Sequence, residues 1–441
     1  MSKPFIVVQG PVATRSGYGN HTRDLVTALI NADKYDIKVV SLPWGNCPMN
    51  ALENDNIDHE NINKVIARDN IKQQPDVFIQ VSVPNEFQSV GKYNIGVTAG
   101  IETTAVSPKF IEGANKMDLL ITTSKHSERG FLEVIYDAVD KNTNEKKSQL
   151  KFERESEVLF EGLDLNVYNK TSDISPAVKK ELESIPNDFC YLFVGHWLKG
   201  CTGQDRKDIG MMIKTFCEAF RKKSKQNRPA LVLKTSSATF SIMDRDEIME
   251  KIRLITSEYG DNALDVYLLH GDLTDNEMNS LYNHPKIKAM VSFTKGEGFG
   301  RPLLEYSITG KPVIASNWSG HVDFLNKDYC NMLPGSLNAV HATAADEFIM
   351  KESKWFTVDY NYAAQVIVDV TKNYKTYLAR SRKQTQYVKD NFSLDLMADK
   401  FCKLVDKGLE NIPQQVSINL PKLKKSSKGA TMLSLPKLKK V

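Results

Sequence analysis

The chain has no apolar run approaching the roughly 18 residues that a membrane-spanning helix needs. Met1-Ser2-Lys3-Pro4 leads directly into a strand-like segment, so neither a bilayer span nor a signal peptide is expected. Cysteine is sparse: Cys47, Cys190, Cys201, Cys217, Cys330 and Cys402 are scattered, with no CxxC or Cys/His spacing. That argues against a disulfide framework or a zinc site, and for free thiols in a reduced, cytoplasmic setting. No DxD stands at the end of a strand-like run and the eight histidines are dispersed, so no metal-ligand cluster is legible. Charge of one sign is also lacking: a formal +4 is too small to imply a polyanionic partner by itself. Its distribution is uneven, however. Residues 412–441 carry seven lysines and no acid, which leaves the rest of the chain slightly acidic.

What is present is a long alternation of strands and helices. At 441 residues the chain exceeds what one core usually holds, which predicts two domains. Phe5 to Gly10 is a continuous apolar run stopped by glycine and proline, the pattern of a central parallel strand. Ser16-Gly17-Tyr18-Gly19-Asn20 follows, then a helix over 21–31. This glycine-bearing loop serves equally as an anion-binding loop at a helix start or as a plain chain reversal. Further strands are predicted at 37–42, 75–81, 93–98 and 117–122, with one helix near 60–69 and another from Ser124 through Tyr136. Residues 137–155 read as a solvated insertion and 166–186 as an interdomain linker. A second alternation begins at Phe189: strands at 189–195, 230–234, 266–269 and 289–293, with helices at 208–221, 244–259 and 274–282 between them. Phe348, Trp355 and Tyr360 suggest a covering segment, and helices fill 363–391 and 392–409. Two Rossmann-like doubly wound units facing a cleft are therefore expected, over 1–175 and 176–411, with the last helix crossing back.

The chemistry concentrates in Thr294 to Gly320. Glu297 and Glu305 stand with seven residues between them and a Gly298-Phe299-Gly300 bend in the interval. Pro302 to Thr309 reads as a helix ended by Gly310, Pro312 to Ala315 as a buried strand, and Ser319-Gly320 as a second turn. Both loops then open on the carboxyl edge of a parallel sheet, where ligands bind. At this level the two carboxylates are equally a general acid/base pair or a ligand-holding pair. Lys234 ends a buried strand and needs an anionic partner. Arg206 begins a helix, where its neighbour Lys207 could fill the same role.

The tandem units and Gly296-Glu297-Gly298-Phe299-Gly300-Arg301-Pro302-Leu303-Leu304-Glu305 resemble the GT-B glycosyltransferases, specifically family 4, over about residues 5–409. The resemblance implies an α/β GT-B fold and a retaining, metal-independent hexosyltransferase. Its donor substrate would be a nucleoside-diphosphate sugar, with no cofactor. Glu297 would accept hydrogen bonds from donor sugar hydroxyls beside the Gly298, Phe299 and Gly300 backbone, and Glu305 would hold the ribose. Arg206 and Lys234 would neutralise the diphosphate, and Ser319-Gly320 would form a phosphate-binding turn. In the first domain, Gly17 and Gly19 match the glycine loop near the reaction centre, and Glu102 and Thr103 stand where acceptor-facing residues belong. His126 would contact donor sugar or phosphate, or else merely belongs to the helix cap at Ser124.

The acceptor is expected to be a hydroxyl on a glycan or glycolipid. A modified DNA base is the weaker alternative, since no nucleic-acid module is recognisable. A GT-B epimerase or phosphorylase would keep the fold and change the reaction, but no cofactor lysine context for a phosphorylase is legible. A non-catalytic GT-B module is opposed by Glu297, Glu305 and Lys234. Leu420-Pro421-Lys422-Leu423-Lys424-Lys425 recurs as Leu435-Pro436-Lys437-Leu438-Lys439-Lys440. This low-complexity basic tail is expected to be disordered in isolation, as a solvated extension, a docking peptide or a contact for an anionic membrane surface.

Overall fold

The computed structural model describes residues 3–139, 146–237 and 240–412. The LPKLKK repeat lies outside the described residues. Among the described residues the main strands form two six-stranded parallel sheets. In chain order the first unit runs β1 (Phe5–Gly10), α1 (Gly17–Ala32), β2 (Asp36–Ser41), α2 (Ile57–Val65), β3 (Val77–Val81), β4 (Tyr93–Thr98), α3 (Pro108–Ala114), β5 (Leu119–Thr122) and α4 (Lys125–Leu132). It closes with a hairpin, β6 (Tyr136–Val139) and β7 (Lys146–Leu150), and with β8 (Glu155–Val158). The sheet order is β2-β1-β3-β4-β5-β8.

After α5 (Pro176–Glu183), the second unit runs β9 (Cys190–Val194), α6 (Ile209–Phe220), β10 (Ala230–Lys234), α7 (Ile242–Ser257), β11 (Asp265–Leu269), α8 (Asp275–Asn283), β12 (Ile287–Ser292), α9 (Arg301–Ser307), β13 (Val313–Ser316) and β14 (Asn331–Leu333). The order β11-β10-β9-β12-β13-β14 repeats the doubly wound pattern, reversing direction beside β9. A hairpin, β15 (Gly335–Ala339) and β16 (Lys354–Val358), and the helices α10 (Tyr360–Lys372), α11 (Tyr374–Asn391) and α12 (Leu394–Glu410) complete it.

The central strands of both sheets are apolar on both faces because helices cover both. Tyr191, Phe193, Leu231 and Leu233 pack under α6, α7 and α10, while Cys190, Leu192, Ala230 and Val232 face α8 and α9. α12 places Met397, Phe401, Leu404 and Val405 in the core of the first sheet, against Leu25 and Leu29 of α1. The segment read as a linker, 166–186, is instead packed on the second sheet: Tyr168, Val178, Leu182 and Ile185 belong to that core.

Local signals explain the shifts from the predicted spans. α2 starts earlier because the Asn56 side chain accepts from the N–H groups of Asp58 and His59. α4 stops at Leu132, and Tyr136–Val139 pair instead in the β6–β7 hairpin, where Tyr136 donates its hydroxyl to the Val106 carbonyl at 2.6 Å. Thr274 caps α8 in a full capping box with Glu277.

The two units are drawn together along a seam. Thr104 and Lys354 exchange hydrogen bonds (Thr104 N to Lys354 O 2.8 Å, Lys354 N to Thr104 Oγ1 2.9 Å), and Phe348 stacks on Phe110 at 5.2 Å. Phe348 and Trp355 thus belong to the covering segment, with Trp355 buried against Val340 and Ala344.

Candidate active site

The carboxyl ends of both sheets face one another across a cavity of about 470 Å³. The first domain contributes the loops after β1 and β4, and the second contributes the ends of β9, β10 and β12. Gly17, Glu102, Arg206, Lys234, Glu297, Gly298, Phe299 and Gly300 all reach this cavity. Glu305 lies on an adjoining cavity of about 280 Å³, which shares Gly17, His196 and Arg301 with the first.

Glu297 is the electrostatic centre. Its carboxylate is buried and paired with both Lys207 and Arg206, the latter at 3.2 Å, and Arg206 also donates to the Gly296 carbonyl at 2.8 Å. Burial works to raise its pKa, but the Lys207 and Arg206 charges prevail and bring it down to about 2. Glu102, from the first domain, stands 3.8 Å from Arg206 and is itself pushed up by burial.

The Gln204-Asp205-Arg206-Lys207-Asp208 run divides by sign. Asp205 accepts from the Ile209 N–H, and Asp208 turns inward to the 1% exposed Lys295 (3.1 Å) and to Tyr360 (2.7 Å), so both cations are left facing Glu297. Lys234 donates to the Gly271 carbonyl at 2.7 Å, and among the described residues no carboxylate lies within salt-bridge distance of it. Burial lowers its pKa, as expected for an ammonium lacking an anion.

Glu305 is held by Tyr282 (2.9 Å) and by Arg301, the residue that ties the second domain to the first. Arg301 reaches Asp24 of α1 at 2.6 Å, Glu161 at 3.7 Å and Glu305 at 3.2 Å. Three buried carboxylates thus share one guanidinium. Burial raises all three, with Glu161 and Glu305 pushed up to about 7 against the pull of Arg301. Carboxyls raised in the fold stabilise it fully below their unfolded pKa, and that contribution is lost as pH rises through the folded value. The melting temperature should therefore fall between about pH 5 and pH 8, and Glu161→Gln should flatten the slope by about 2–4 °C. A melting curve series in which the variant tracks the wild type across this range would count against the cluster as drawn.

The remaining predicted residues are placed as follows. Gly19 supports the turn rather than the cavity, since a Cβ there would stand 2.2 Å from the Thr14 carbonyl. Thr103 turns into its own loop, donating to the Ala105 carbonyl at 3.0 Å. Ser319 and Gly320 are absent from the cavity wall and brace it from behind: Ser319 Oγ accepts from the Glu297 N–H at 2.9 Å, and the Gly320 N–H donates to the Glu297 carbonyl at 2.9 Å. The N–H expected to face a phosphate is used on the loop itself. His126 packs edge-on against Trp318 at 4.6 Å, its pKa lowered to about 4 by burial, and lies off the cavity wall. Its neighbour Ser124 does cross the seam, donating to the Gly298 carbonyl at 2.5 Å.

Residues that sequence reasoning passed over include Arg301, Glu161 and His196. Arg301 stood inside the Gly-Phe-Gly-Arg run, and His196 directly after a strand-ending glycine, the position most worth testing in such a sheet.

The fold has counterparts among solved structures. Anabaena HepE in complex with UDP-glucose is similar over 91% of this chain and 99% of its own, with a TM-score of 0.57 and 12% identity. The chain has the GT-B fold. A Rickettsia africae glycosyltransferase superposes on the same GT-B frame with a TM-score of 0.60 at 13% identity, over 93% of this chain and 100% of that one. Sucrose-phosphate synthase of Thermosynechococcus elongatus gives 0.58 at 13%, over 92% and 98%. No protein-family model and no curated protein matches the sequence. In GT-B terms, the described cavity lies in the cleft between the two Rossmann-like units, at their facing sheet edges.

Proposed function

We propose that the protein is a glycosyltransferase that moves a hexosyl group from a nucleoside-diphosphate sugar to a hydroxyl acceptor, retaining the anomeric configuration and without a metal ion. The observation that carries this reading is the convergence of Arg206, Lys207 and Lys234 with Glu297 and the Gly298 to Gly300 backbone on one interdomain cavity. The ligands of a GT-B neighbour support it: HepE was crystallised with UDP-glucose and with UDP and glucose.

In this reading Glu297 holds the place of the absent anion. A diphosphate draws Lys207 and Arg206 to itself and frees the carboxylate to accept hydrogen bonds from a vicinal diol of the sugar. The C1–O bond then breaks with its electron pair on the phosphate. The acceptor oxygen bonds to C1 and its proton passes to the departing phosphate oxygen. Arg206, Lys207 and Lys234 offset the charge that develops there. Glu305, with Tyr282 beside it, takes the ribose hydroxyls. The first domain, through Gly17 and Glu102, receives the acceptor.

A thermal-shift screen of UDP, GDP and ADP sugars, with and without EDTA, tests donor and metal together. One donor class should raise the melting temperature by mass action, and turnover with it should persist in EDTA. Loss of turnover in EDTA that added Mg2+ or Mn2+ restores would sink the metal-free part. The acceptor is proposed to be a glycan or glycolipid, with the basic tail touching an anionic surface. No described helix is long and apolar enough to cross a membrane. A chain truncated after residue 412 should lose retention on anionic vesicles. Loss on duplex DNA alone would favour the modified-base alternative.

A further inference from the structure

One ionisable group on the cavity wall has no part in the scheme above. His196 follows Gly195 at the carboxyl end of β9 and lines both cavities, with its side chain open to them. Its Nδ1 lies 3.2 Å from Ser236 Oγ, so Nε2 is the ring nitrogen left for a ligand. Lys207 passes directly beside this strand end: a Cβ on Gly195 would stand 3.3 Å from Lys207 Cε and 3.5 Å from Nζ. We propose that His196 is a fourth partner of the diphosphate, neutral in the empty cleft, which takes a proton from water as the nucleoside diphosphate binds and donates Nε2–H to a phosphate oxygen. This rests on the nucleotide-sugar reading and adds to it a proton that travels with the donor.

The charges around the ring make the exchange directional. Enclosure by the cleft walls and then the Lys207, Arg206 and Lys234 charges hold the imidazole below its ordinary value. The acids that could oppose them are engaged: Glu297 by Lys207 and Arg206, Glu102 near Arg206, and Asp272 by Arg15 at 2.7 Å. A diphosphate reverses the local field and favours the imidazolium. The proton comes from bulk water and returns there on product release, and no bond to His196 forms or breaks. Because the complex holds the proton more tightly, affinity is full below the free-state pKa and declines as pH rises through that of the complex. A neutral histidine also spares the empty site a fourth cation beside three that already repel one another.

The test is calorimetric titration of the full chain with UDP, GDP and ADP at pH 7, in two buffers of different ionisation enthalpy. With whichever nucleotide binds, the wild type should take up about 0.3 to 1 proton per site more than His196→Asn, the difference cancelling the protons of Glu305 and of the nucleotide itself. His196→Arg, permanently charged, should match His196→Asn in proton exchange yet keep more turnover than His196→Asn, whose kcat should fall about 10- to 100-fold with a smaller change in KM. His196→Gln supplies a second neutral replacement, so the outcome does not hang on one variant's folding. Proton uptake in both neutral variants equal to that of the wild type would overturn the proposal alone. No binding of any of the three nucleotides would remove the nucleotide-sugar reading together with it.

Discussion

Glu297→Ala and Lys234→Ala should each lower turnover at least about 100-fold, on the order of 2.7 kcal/mol of lost transition-state stabilisation. The two variants should differ in everything else. Lys234 donates to a backbone carbonyl, not to a carboxylate, so its removal strands no buried anion and should leave the melting temperature close to that of the wild type. Its effect then lies in the chemical step, where charge grows on the departing diphosphate. Glu297 is the partner of two buried cations, and its loss leaves Arg206 and Lys207 with only Glu102 nearby. That variant should melt lower. It should also bind nucleoside diphosphate at least as tightly as the wild type, because no internal anion competes for the cations. Steady-state kinetics with product inhibition by the nucleoside diphosphate separates these effects. Wild-type turnover in both variants would refute the assignment of the site.

Gly298→Ala should be as damaging for a steric reason. The two domains meet so closely that a Cβ on Gly298 would stand 1.3 Å from the Ala99 carbonyl oxygen, and one on Gly296 would stand 1.9 Å from that of Glu102. Both obstacles are backbone, so neither can swing aside. The variant must part the seam where Thr123, Ser124 and Ser127 hydroxyls converge on the Gly298 carbonyl. Turnover should fall at least about 100-fold, since a displacement of roughly 1 Å in the reacting groups suffices for that. Small-angle scattering should show a larger radius of gyration. Gly17→Ala is the control for the radius of gyration alone, because a Cβ there meets nothing within 4 Å. An active, compact Gly298→Ala protein would show that turnover does not need this contact.

The strand and helix alternation, the two-domain plan and the Glu297 to Glu305 segment were legible in the sequence, because apolar runs and glycine stops are local signals. Arg206 and Lys234, singled out by the family resemblance, both reach the cavity, Arg206 from the loop before α6 and Lys234 from the end of β10. The hairpin at Tyr136 was not legible, since a strand as short as Tyr136–Val139 is settled by its partner strand. Nor was the packing of 166–186, where Asn169 and Thr171 meet Asn279 and Asn283 of α8.

The sequence by itself determined which side chains stand at the carboxyl ends of the strands, because hydrophobic patterning sets where each strand stops. Only the tertiary structure decided which of them meet. It gave Glu297 to Lys207 as well as to Arg206, left Lys234 without a carboxylate among the described residues, moved Ser319, Gly320 and His126 off the cavity wall, and made Arg301 the link to Asp24 of the other domain. The physical reason is that burial and ion pairing depend on distances between groups far apart in the chain. Those distances are set by how two sheets approach, and glycine spacing permits that approach without specifying it.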